Sequence, residues 1–203
     1  MKILITGKEG QLAKALFTKA KSSHTSYKLI GFNKKELNIE NSQLLRDTVL
    51  FHKPDWIINT AAFTDVEKAE NEKNSAFSIN AYAVGEIAKI VNSYGGRLLQ
   101  ISTDFVFKGD KSTPYSVNDI CSPINVYGKS KLEGETLSLK YARNIVLRTS
   151  WLYSSYGDNF LIKILKLHKK FSNESKCLNV VQDQIGSPTN TNELAKVCWQ
   201  IID

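Results

Sequence analysis

Short apolar runs that alternate with stretches of helical periodicity constrain the fold of this 203-residue chain most strongly. The apolar runs are bounded by turn residues and therefore predict strands at 2–6, 27–32, 56–59, 98–101, 144–148 and 178–181. Helices are predicted up to about residue 21 and at 41–52, 75–94, 125–142, 159–170 and 192–202. This alternation predicts an α/β fold, in which helices cover both faces of a doubly wound parallel sheet with right-handed crossovers.

The turn after the first strand carries a glycine pattern. Gly7 allows a tight turn, and Gly10 lets the backbone approach a pyrophosphate at the N-terminus of the next helix. Ala13 takes the third position, where a small residue permits close packing of helix on strand. The spacing differs from the commoner Gly-x-Gly-x-x-Gly, and an ordinary strand-to-helix turn is the alternative. In this context the pattern predicts a dinucleotide site.

The end of the second strand indicates which dinucleotide is bound. An acidic residue at this position would bind the 2′-hydroxyl of NAD. The chain has Asn33, Lys34 and Lys35 instead, and no acid before Glu36. Lysines attract the 2′-phosphate of NADP, unless they are simply exposed. We predict NADPH as the cofactor, with NADH as the alternative.

A tyrosine and a lysine four residues apart, Tyr127 and Lys131, project from one face of the predicted helix 125–142. A nearby positive charge favours phenolate, so the pKa of Tyr127 is expected to fall towards neutral pH. Thr103 would end a buried strand, where its hydroxyl can reach a substrate oxygen. The three side chains could hold a carbonyl and transfer one proton. On its own, Tyr-x-x-x-Lys is also a common pair on the surface of a helix.

Two residues near these motifs can be interpreted in two ways. Asn80 is either an inward polar residue that supports the site or an exposed one. Trp151 either forms the wall of a pocket or covers the core. The loop 104–124 is long enough to border a substrate. The small residues 60–62 would let a cofactor lie against the backbone, and the charged segment 67–72 is most simply solvated.

The net charge of +7 admits nucleic acid as a partner, because a basic balance is the first sign of phosphate binding. However, the lysines are spread along the chain. The densest run, 163–170, is typical of the solvent-facing side of an amphipathic helix. We therefore expect small anionic ligands such as nucleotides, and no nucleic acid.

The three cysteines and three histidines lack the spacing of a disulfide framework or a metal site. Cys121, Cys177 and Cys198 are therefore expected to be reduced thiols in or near the core of a cytoplasmic protein. The apolar run 3–5 at the N-terminus is too short for a signal peptide or a membrane span. We expect no membrane partner.

Taken together, the motifs resemble the dTDP-4-dehydrorhamnose reductase family, a branch of the extended short-chain dehydrogenase/reductases, along essentially the whole chain. The matching stretches are 5–12, 59–64, 67–70, 102–107, 122–131, 148–151 and 186–189. The resemblance implies a Rossmann-type fold. It also implies an NADPH-dependent reduction of the C4 ketone of a nucleotide-linked 6-deoxy-4-keto-hexose, from dTDP-4-dehydro-L-rhamnose to dTDP-L-rhamnose.

The same resemblance assigns roles to residues. Thr103, Tyr127 and Lys131 would be catalytic: Tyr127 would protonate the alkoxide, Thr103 would hydrogen-bond the carbonyl oxygen, and Lys131 would lower the tyrosine pKa and bind the nicotinamide ribose. The implied cofactor-binding residues are Gly7, Gly10, Gln11, Leu12, Asn33, Lys34, Asn38, Ile39, Ala61, Ala62, Thr64, Tyr127 and Lys131. The implied substrate-binding residues are Thr103, Val106, Tyr127 and Trp151.

Some positions depart from the family pattern. Asn38 replaces an aspartate near the adenine, and Ala13 replaces the third glycine. Ala15 stands where metal-bridged members carry a glutamate, so we expect no bound metal and, if there is a homodimer, no metal bridge. Relatives also continue beyond the position of Asp203. The expected organisation is one Rossmann domain over 1–203, in which 151–203 contributes part of a truncated substrate-binding lobe.

A second hypothesis is a catalytically idle relative that binds nucleotide and regulates a partner enzyme. The family resemblance includes such a case, a regulatory subunit of methionine adenosyltransferase. The Thr–Tyr–Lys set favours the enzyme, whereas the short C-terminal part favours the idle binder.

Overall fold

A computed structural model of the protein describes residues 1–22, 27–173 and 176–203. Its central sheet consists of β1 (Lys2–Thr6), β2 (Lys28–Phe32), β3 (Trp56–Asn59), β4 (Arg97–Thr103) and β5 (Ile145–Thr149). All neighbouring strands pair in parallel, in the order β2-β1-β3-β4-β5. The predicted doubly wound parallel sheet is therefore confirmed. The strand order reverses between β1 and β3, and the crevice outside such a reversal is where ligands bind in open α/β sheets.

Helices cover both faces of this sheet. They are α1 (Gln11–Ser22), α2 (Ser42–His52), α3 (Val66–Asn71), α4 (Lys73–Phe77), α5 (Ala83–Ser93), α6 (Val126–Leu139), α7 (Phe160–Asn173) and α8 (Thr191–Ile202). On one face, α1 and α8 bury a core with β1 and β3 that includes Leu16, Ile58 and Trp199. On the other face, α2 and α5 pack over Leu4 and Ile57. Because both faces are covered, β1 and β3 are buried along almost their whole length and are apolar at 3–5 and 56–58.

The predicted helix 75–94 is interrupted. A π-helix at Ser78–Tyr82 lies between α4 and α5. Hydrophobic periodicity does not separate the α-helical turn from the slightly wider π turn, which appears mostly as single turns at functional sites. The π-helix contains Asn80, which is 1% exposed. The inward interpretation of Asn80 is therefore the correct one.

The strand predicted at 178–181 is wrong. Instead, β6 (Leu152–Tyr153) pairs in parallel with β7 (Thr189–Asn190). Val180 and Val181 have no regular structure and are largely exposed. An apolar run becomes a strand only where a neighbouring strand can take its backbone hydrogen bonds, and the sequence does not contain that information.

Two of the three cysteine expectations agree with the structure. Cys198 is buried and Cys121 is partly buried, but Cys177 is exposed, which contradicts its expected place near the core. Within the described ranges, every helix is too short or too polar to pass through a lipid bilayer.

Candidate active site

Helix α6 is held firmly at its N-terminus. Asn125 caps it by accepting a hydrogen bond from the Gly128 backbone N–H at 2.7 Å. The Val126 N–H donates to the Glu70 carboxylate at 2.8 Å. A Cβ on Gly128 would lie 2.2 Å from the carbonyl oxygen of Phe105, so only glycine permits this close approach to the turn after β4. These contacts fix the position of the intervening Tyr127.

Thr103 lies near the Tyr127 phenol. Thr103 is the last residue of β4 and is 5% exposed; its hydroxyl donates to the Asp104 carboxylate and accepts from the Phe105 N–H, both at 3.2 Å. The Phe105 ring lies edge-on to the Tyr127 ring, with centroids 5.6 Å apart. Burial raises the pKa of Tyr127; the neighbouring Thr103 hydroxyl opposes this shift and the carboxylate of Asp104 adds to it. The phenol is therefore protonated at neutral pH.

Lys131 lies one helical turn after Tyr127 and is 4% exposed. Its ammonium donates a hydrogen bond to the carbonyl oxygen of Ile101 at 2.7 Å. Burial lowers the pKa of Lys131 to about 8, and the carboxylate of Glu135 opposes this shift. The expected fall of the Tyr127 pKa is thus wrong for the protein as it stands, because burial of the phenol raises its pKa.

A row of buried polar side chains crosses the carboxyl ends of the strands and was not predicted. The Thr6 hydroxyl donates to the Asn59 side chain at 2.5 Å, and the Asn59 amide donates to Gln100 at 2.7 Å. The Gln100 amide then donates to the same Ile101 carbonyl oxygen that accepts from Lys131. The row therefore connects the strand before the glycine turn with the Lys131 side chain.

Asn80 supports the segment that follows β3. Its side chain accepts from the Phe63 N–H at 2.9 Å and donates to the Phe63 carbonyl oxygen and to the Ser130 hydroxyl, both at 3.0 Å. Ser130 in turn donates to the Tyr127 carbonyl oxygen. Asn80 therefore couples the backbone after residue 62 to helix α6.

A cleft of about 340 Å³ opens beside the β1–α1 turn, at the reversal of strand order. Gly7 has φ +66°, and a Cβ on it would lie 3.1 Å from the Ala61 backbone, so the turn and the segment after β3 approach as closely as glycine allows. The predicted residues that line the cleft are Gly7, Gly10, Asn33, Lys34, Asn38, Ile39, Ala61, Ala62 and Thr64. This small-residue cradle at a helix N-terminus fits a dinucleotide.

Four predicted cofactor residues lie outside the lining of this cleft: Gln11, Leu12, Tyr127 and Lys131. Leu12 is buried in the core, and the Gln11 side chain accepts hydrogen bonds from Ser154 and Asn159. Thr60, expected with Ala61 and Ala62 to let a cofactor lie against the backbone, also lines the cleft, whereas the lining residues Glu9, Leu37 and Ile79 were not predicted. Leu37 and Ile79 carry only an apolar signal, which does not distinguish a cleft from a core.

Charges of both signs meet at the end of β2. Lys8 pairs with Glu36 at 2.6 Å, and the Asn33 amide donates to the Glu9 carboxylate at 2.9 Å. Lys34 lines the cleft, and its ammonium lies 3.9 Å from Glu40 with 76% of the side chain exposed. The ammonium of Lys34 is therefore accessible to an anionic ligand.

A second, more apolar cavity of about 650 Å³ lies along β6 and α7. Trp151, 42% exposed, lines it together with Tyr153 and Phe160, so Trp151 forms the wall of a pocket. Thr103 and Tyr127 do not line this cavity, and Val106 is fully buried. The predicted substrate residues are therefore not all brought together on one open surface.

Ala15 lies on the inner side of α1 and is fully buried in the core. Among the described residues, which exclude His24, no three His, Cys, Asp or Glu side chains gather in a way that could hold a metal ion.

Comparisons with known proteins agree with this geometry. The family model described as "RmlD substrate binding domain" matches residues 1–203. A dTDP-4-dehydrorhamnose reductase of Aggregatibacter actinomycetemcomitans is 40% identical over 203 residues, which are all of this chain and 67% of that protein. The chain spans about two thirds of the length of the curated relatives it matches.

Two solved structures are similar to this chain along essentially its whole length. A dTDP-4-dehydrorhamnose reductase from Clostridium acetobutylicum is 36% identical with a TM-score of 0.94, and the match covers 100% of this chain and 70% of that one. The Bacillus anthracis enzyme, solved in complex with NADP, is 37% identical with a TM-score of 0.92, over 99% and 70% of the two chains. The chain therefore belongs to the dTDP-4-dehydrorhamnose reductase family of nucleotide-sugar oxidoreductases.

Proposed function

We propose that this chain reduces the C4 ketone of dTDP-4-dehydro-L-rhamnose to give dTDP-L-rhamnose, with NADPH as the reductant. The observation that carries the proposal is the placement of the Thr103 hydroxyl beside the Tyr127 phenol at the carboxyl end of β4, one helical turn from the buried Lys131. The names of the relatives supply the substrate. Phosphate and nucleoside recognition needs the glycine cradle, which the cleft beside Gly7 provides.

NADPH is preferred to NADH for two reasons. The similar Bacillus anthracis enzyme was solved with NADP. In this chain, Lys34 presents an exposed ammonium at the cleft where a 2′-phosphate would add negative charge. Glu9 lines the same cleft, and its carboxylate keeps NADH as the alternative. Asn38 and Ile39 would lie against the adenine side of the cofactor.

The chemistry divides between cofactor and protein. When bound, the reduced nicotinamide supplies a hydride for the ketone carbon. The Thr103 hydroxyl would hydrogen-bond the ketone oxygen and so fix its position. Tyr127, which burial keeps protonated, would give its phenolic proton to that oxygen as negative charge develops there. The Lys131 ammonium, one turn away, would stabilise the phenolate that is left.

Residues 151–203 would contribute part of the substrate-binding lobe. Within this range α8 packs against α1 in the layer that covers the sheet, so the lobe would be built from 151–190. The cavity lined by Trp151 and Tyr153 is apolar and suits the sugar and base of a nucleotide sugar. Val106, buried below the active-site turn, would support the sugar pocket from beneath.

The remaining expectations concern the setting of the reaction. A nucleotide sugar is the proposed small-molecule partner. A homodimer, if formed, would lack a metal bridge because Ala15 is a core residue. Three free cysteines suit a reducing compartment, and we place the reaction in the cytoplasm.

A second candidate is an idle relative that binds nucleotide and regulates a partner. The specific observation in its favour is that the Lys131 ammonium donates its hydrogen bond to the Ile101 carbonyl oxygen, which holds it on β4. NADPH oxidation by the 203-residue chain in the presence of dTDP-4-dehydrorhamnose separates the two candidates. Turnover that Tyr127→Phe abolishes supports the reductase. Tight NADPH binding without turnover by the unmodified chain supports the idle binder.

A further inference from the structure

Glu135 is a buried carboxylate that the proposed chemistry does not use. It is 2% exposed and lies on α6, one turn after Lys131. One of its oxygens accepts from the Ser102 hydroxyl at 2.5 Å and from Arg148 Nε at 3.0 Å. The other accepts from Arg148 Nη2 at 2.6 Å and Nε at 3.2 Å. A two-pronged Arg–carboxylate pair of this kind fixes geometry as well as charge.

The partners of Glu135 come from the two strands that end at the active site. Ser102 of β4 is aligned with Arg148 of β5 in the sheet register. Glu135 therefore joins α6, β4 and β5 in one buried polar contact. Each of these elements continues directly into residues at the carboxyl edge of the sheet, where Thr103 ends β4.

Helix α6 holds β4 at two consecutive residues. Lys131 donates to the carbonyl oxygen of Ile101, and Glu135 accepts from the hydroxyl of Ser102. The next residue along the strand is Thr103, which lies beside the Tyr127 phenol at the N-terminal end of the same helical face. Three successive strand residues are thus matched to three helix residues spaced four apart. Sliding the helix along the strand would break all three contacts.

The Arg148 side of the contact extends to the long loop after β4. The Arg148 guanidinium lies over the Phe107 ring, 5.0 Å from its centroid, and Nη2 lies 3.1 Å from Cys121 Sγ. Phe107 stacks on Tyr115 with centroids 4.3 Å apart. Both ends of the 107–121 loop are therefore attached to the residue that Glu135 binds.

We propose that Glu135, acting through Ser102 and Arg148, is the positioning residue that sets the distance between Thr103 and the Tyr127–Lys131 pair. Its role in turnover rests on the proposed reductase function. The geometry that it controls does not, because the contacts of Glu135 with β4 and β5 exist whatever the chain catalyses.

The test is Ser102→Ala, which removes the hydroxyl between Glu135 and β4 but leaves the ion pair intact. The matched control is Ser138→Ala, a serine on the same helix that is fully buried and whose hydroxyl has no partner among the described residues. The first readout is amide hydrogen exchange at Thr103 and Phe105. The second is steady-state turnover, with the NADPH dissociation constant and melting temperature measured for each variant.

Ser102→Ala is expected to speed exchange at Thr103 and Phe105 and to lower kcat about tenfold, because a small misplacement of a catalytic group costs rate rather than binding. KM and the NADPH dissociation constant should change less than twofold, and Ser138→Ala should change none of these quantities. Glu135→Gln should lower kcat further, since it also leaves the Arg148 charge unpaired. If Glu135→Gln fails to fold, the comparison of Ser102→Ala with Ser138→Ala still tests the positioning role.

The outcomes separate the two proposals. A wild-type chain without turnover defeats the reductase, and the positioning role is then judged by exchange alone. If Ser102→Ala matches Ser138→Ala in exchange and, where turnover exists, in kcat, the positioning role is overturned.

Discussion

The Lys131 ammonium lies 2.7 Å from the carbonyl oxygen of Ile101, in a site where only 4% of the residue is exposed. A charged group in this position loses most of its hydration and regains one hydrogen bond to a carbonyl and the field of Glu135. The lowered pKa of Lys131, about 8, follows from that imbalance. The same imbalance makes the stability of the fold depend on pH.

The sign of this dependence follows from counting protons. The ordinary lysine pKa of 10.5 applies to the unfolded chain. Between pH 8 and 10.5 the unfolded chain therefore holds a proton on Lys131 that the folded chain has released. Raising the pH through this window favours the folded state, and the gain disappears as the pH falls below 8.

We predict that the free energy of unfolding of the wild type, relative to that of Lys131→Met, increases by about 2 to 3 kcal/mol between pH 7 and pH 10. Urea unfolding of both proteins at several pH values measures it. Other titrating groups, such as Tyr127 with its raised pKa, are common to both proteins and largely cancel in the difference. Parallel pH profiles for the two proteins would contradict the lowered pKa that burial gives Lys131.

The Tyr127 phenol gives a second prediction. Tyr127→Phe removes the proposed proton donor but keeps the ring that packs edge-on against Phe105. Turnover should fall about 10²- to 10⁴-fold, the usual contribution of positioned proton transfer. The NADPH dissociation constant, measured by fluorescence titration, should stay within twofold. The matched control is Tyr82→Phe, since Tyr82 is 63% exposed on the π-helix; reduction by Tyr127→Phe at the rate of this control would refute the assignment.

Lys34 gives a third prediction, on the choice of cofactor. Its ammonium lines the dinucleotide cleft and is only weakly engaged by Glu40 at 3.9 Å. Lys34→Gln should weaken NADPH binding about threefold, as expected for one exposed ion pair, and leave NADH binding unchanged. Lys35→Gln is the control, because Lys35 is exposed and lies outside the cleft lining. An equal loss of affinity for NADPH and NADH would show that Lys34 does not recognise the 2′-phosphate.

The elements that the sequence predicted best are those with a single physical determinant. β1 and β3 have the predicted bounds, because an apolar run enclosed by two helical layers has one way to be buried. Asn125 and Gly128 make α6 begin within one residue of the prediction, since a cap leaves a local signal. The strand expected at 178–181 failed because it depends on a partner strand elsewhere in the chain.

In the active site, too, the features set by local sequence were predicted and those set by distant contacts were not. Spacing along α6 placed Tyr127 and Lys131 on one face, and the same spacing extended by four residues would have found Glu135. The sequence could not show that burial raises the pKa of Tyr127 and lowers that of Lys131, because both shifts depend on how deeply each group is packed. The polar row from Thr6 through Asn59 to Gln100 likewise joins three separate strands. The sequence of any one strand does not predict these contacts.

The glycine turn gives the last prediction, and the chain offers a close control for it. Gly7 and Gly109 both have positive φ angles, +66° and +83°. A Cβ on Gly7 would lie 3.1 Å from the Ala61 backbone, whereas a Cβ on Gly109 would meet nothing within 4 Å. Gly109→Ala therefore measures the cost of the backbone conformation alone, about 1 kcal/mol.

Gly7→Ala adds the steric contact to the same backbone cost. The β1–α1 turn must then move away from Ala61, which widens the cradle where the backbone approaches the phosphates. We expect at least a tenfold loss of NADPH affinity for Gly7→Ala and a loss of stability larger than that of Gly109→Ala, whose affinity should stay at the wild-type value. Isothermal titration with NADPH and urea unfolding of the three proteins measure both quantities. Wild-type affinity in folded Gly7→Ala would place the dinucleotide away from this turn.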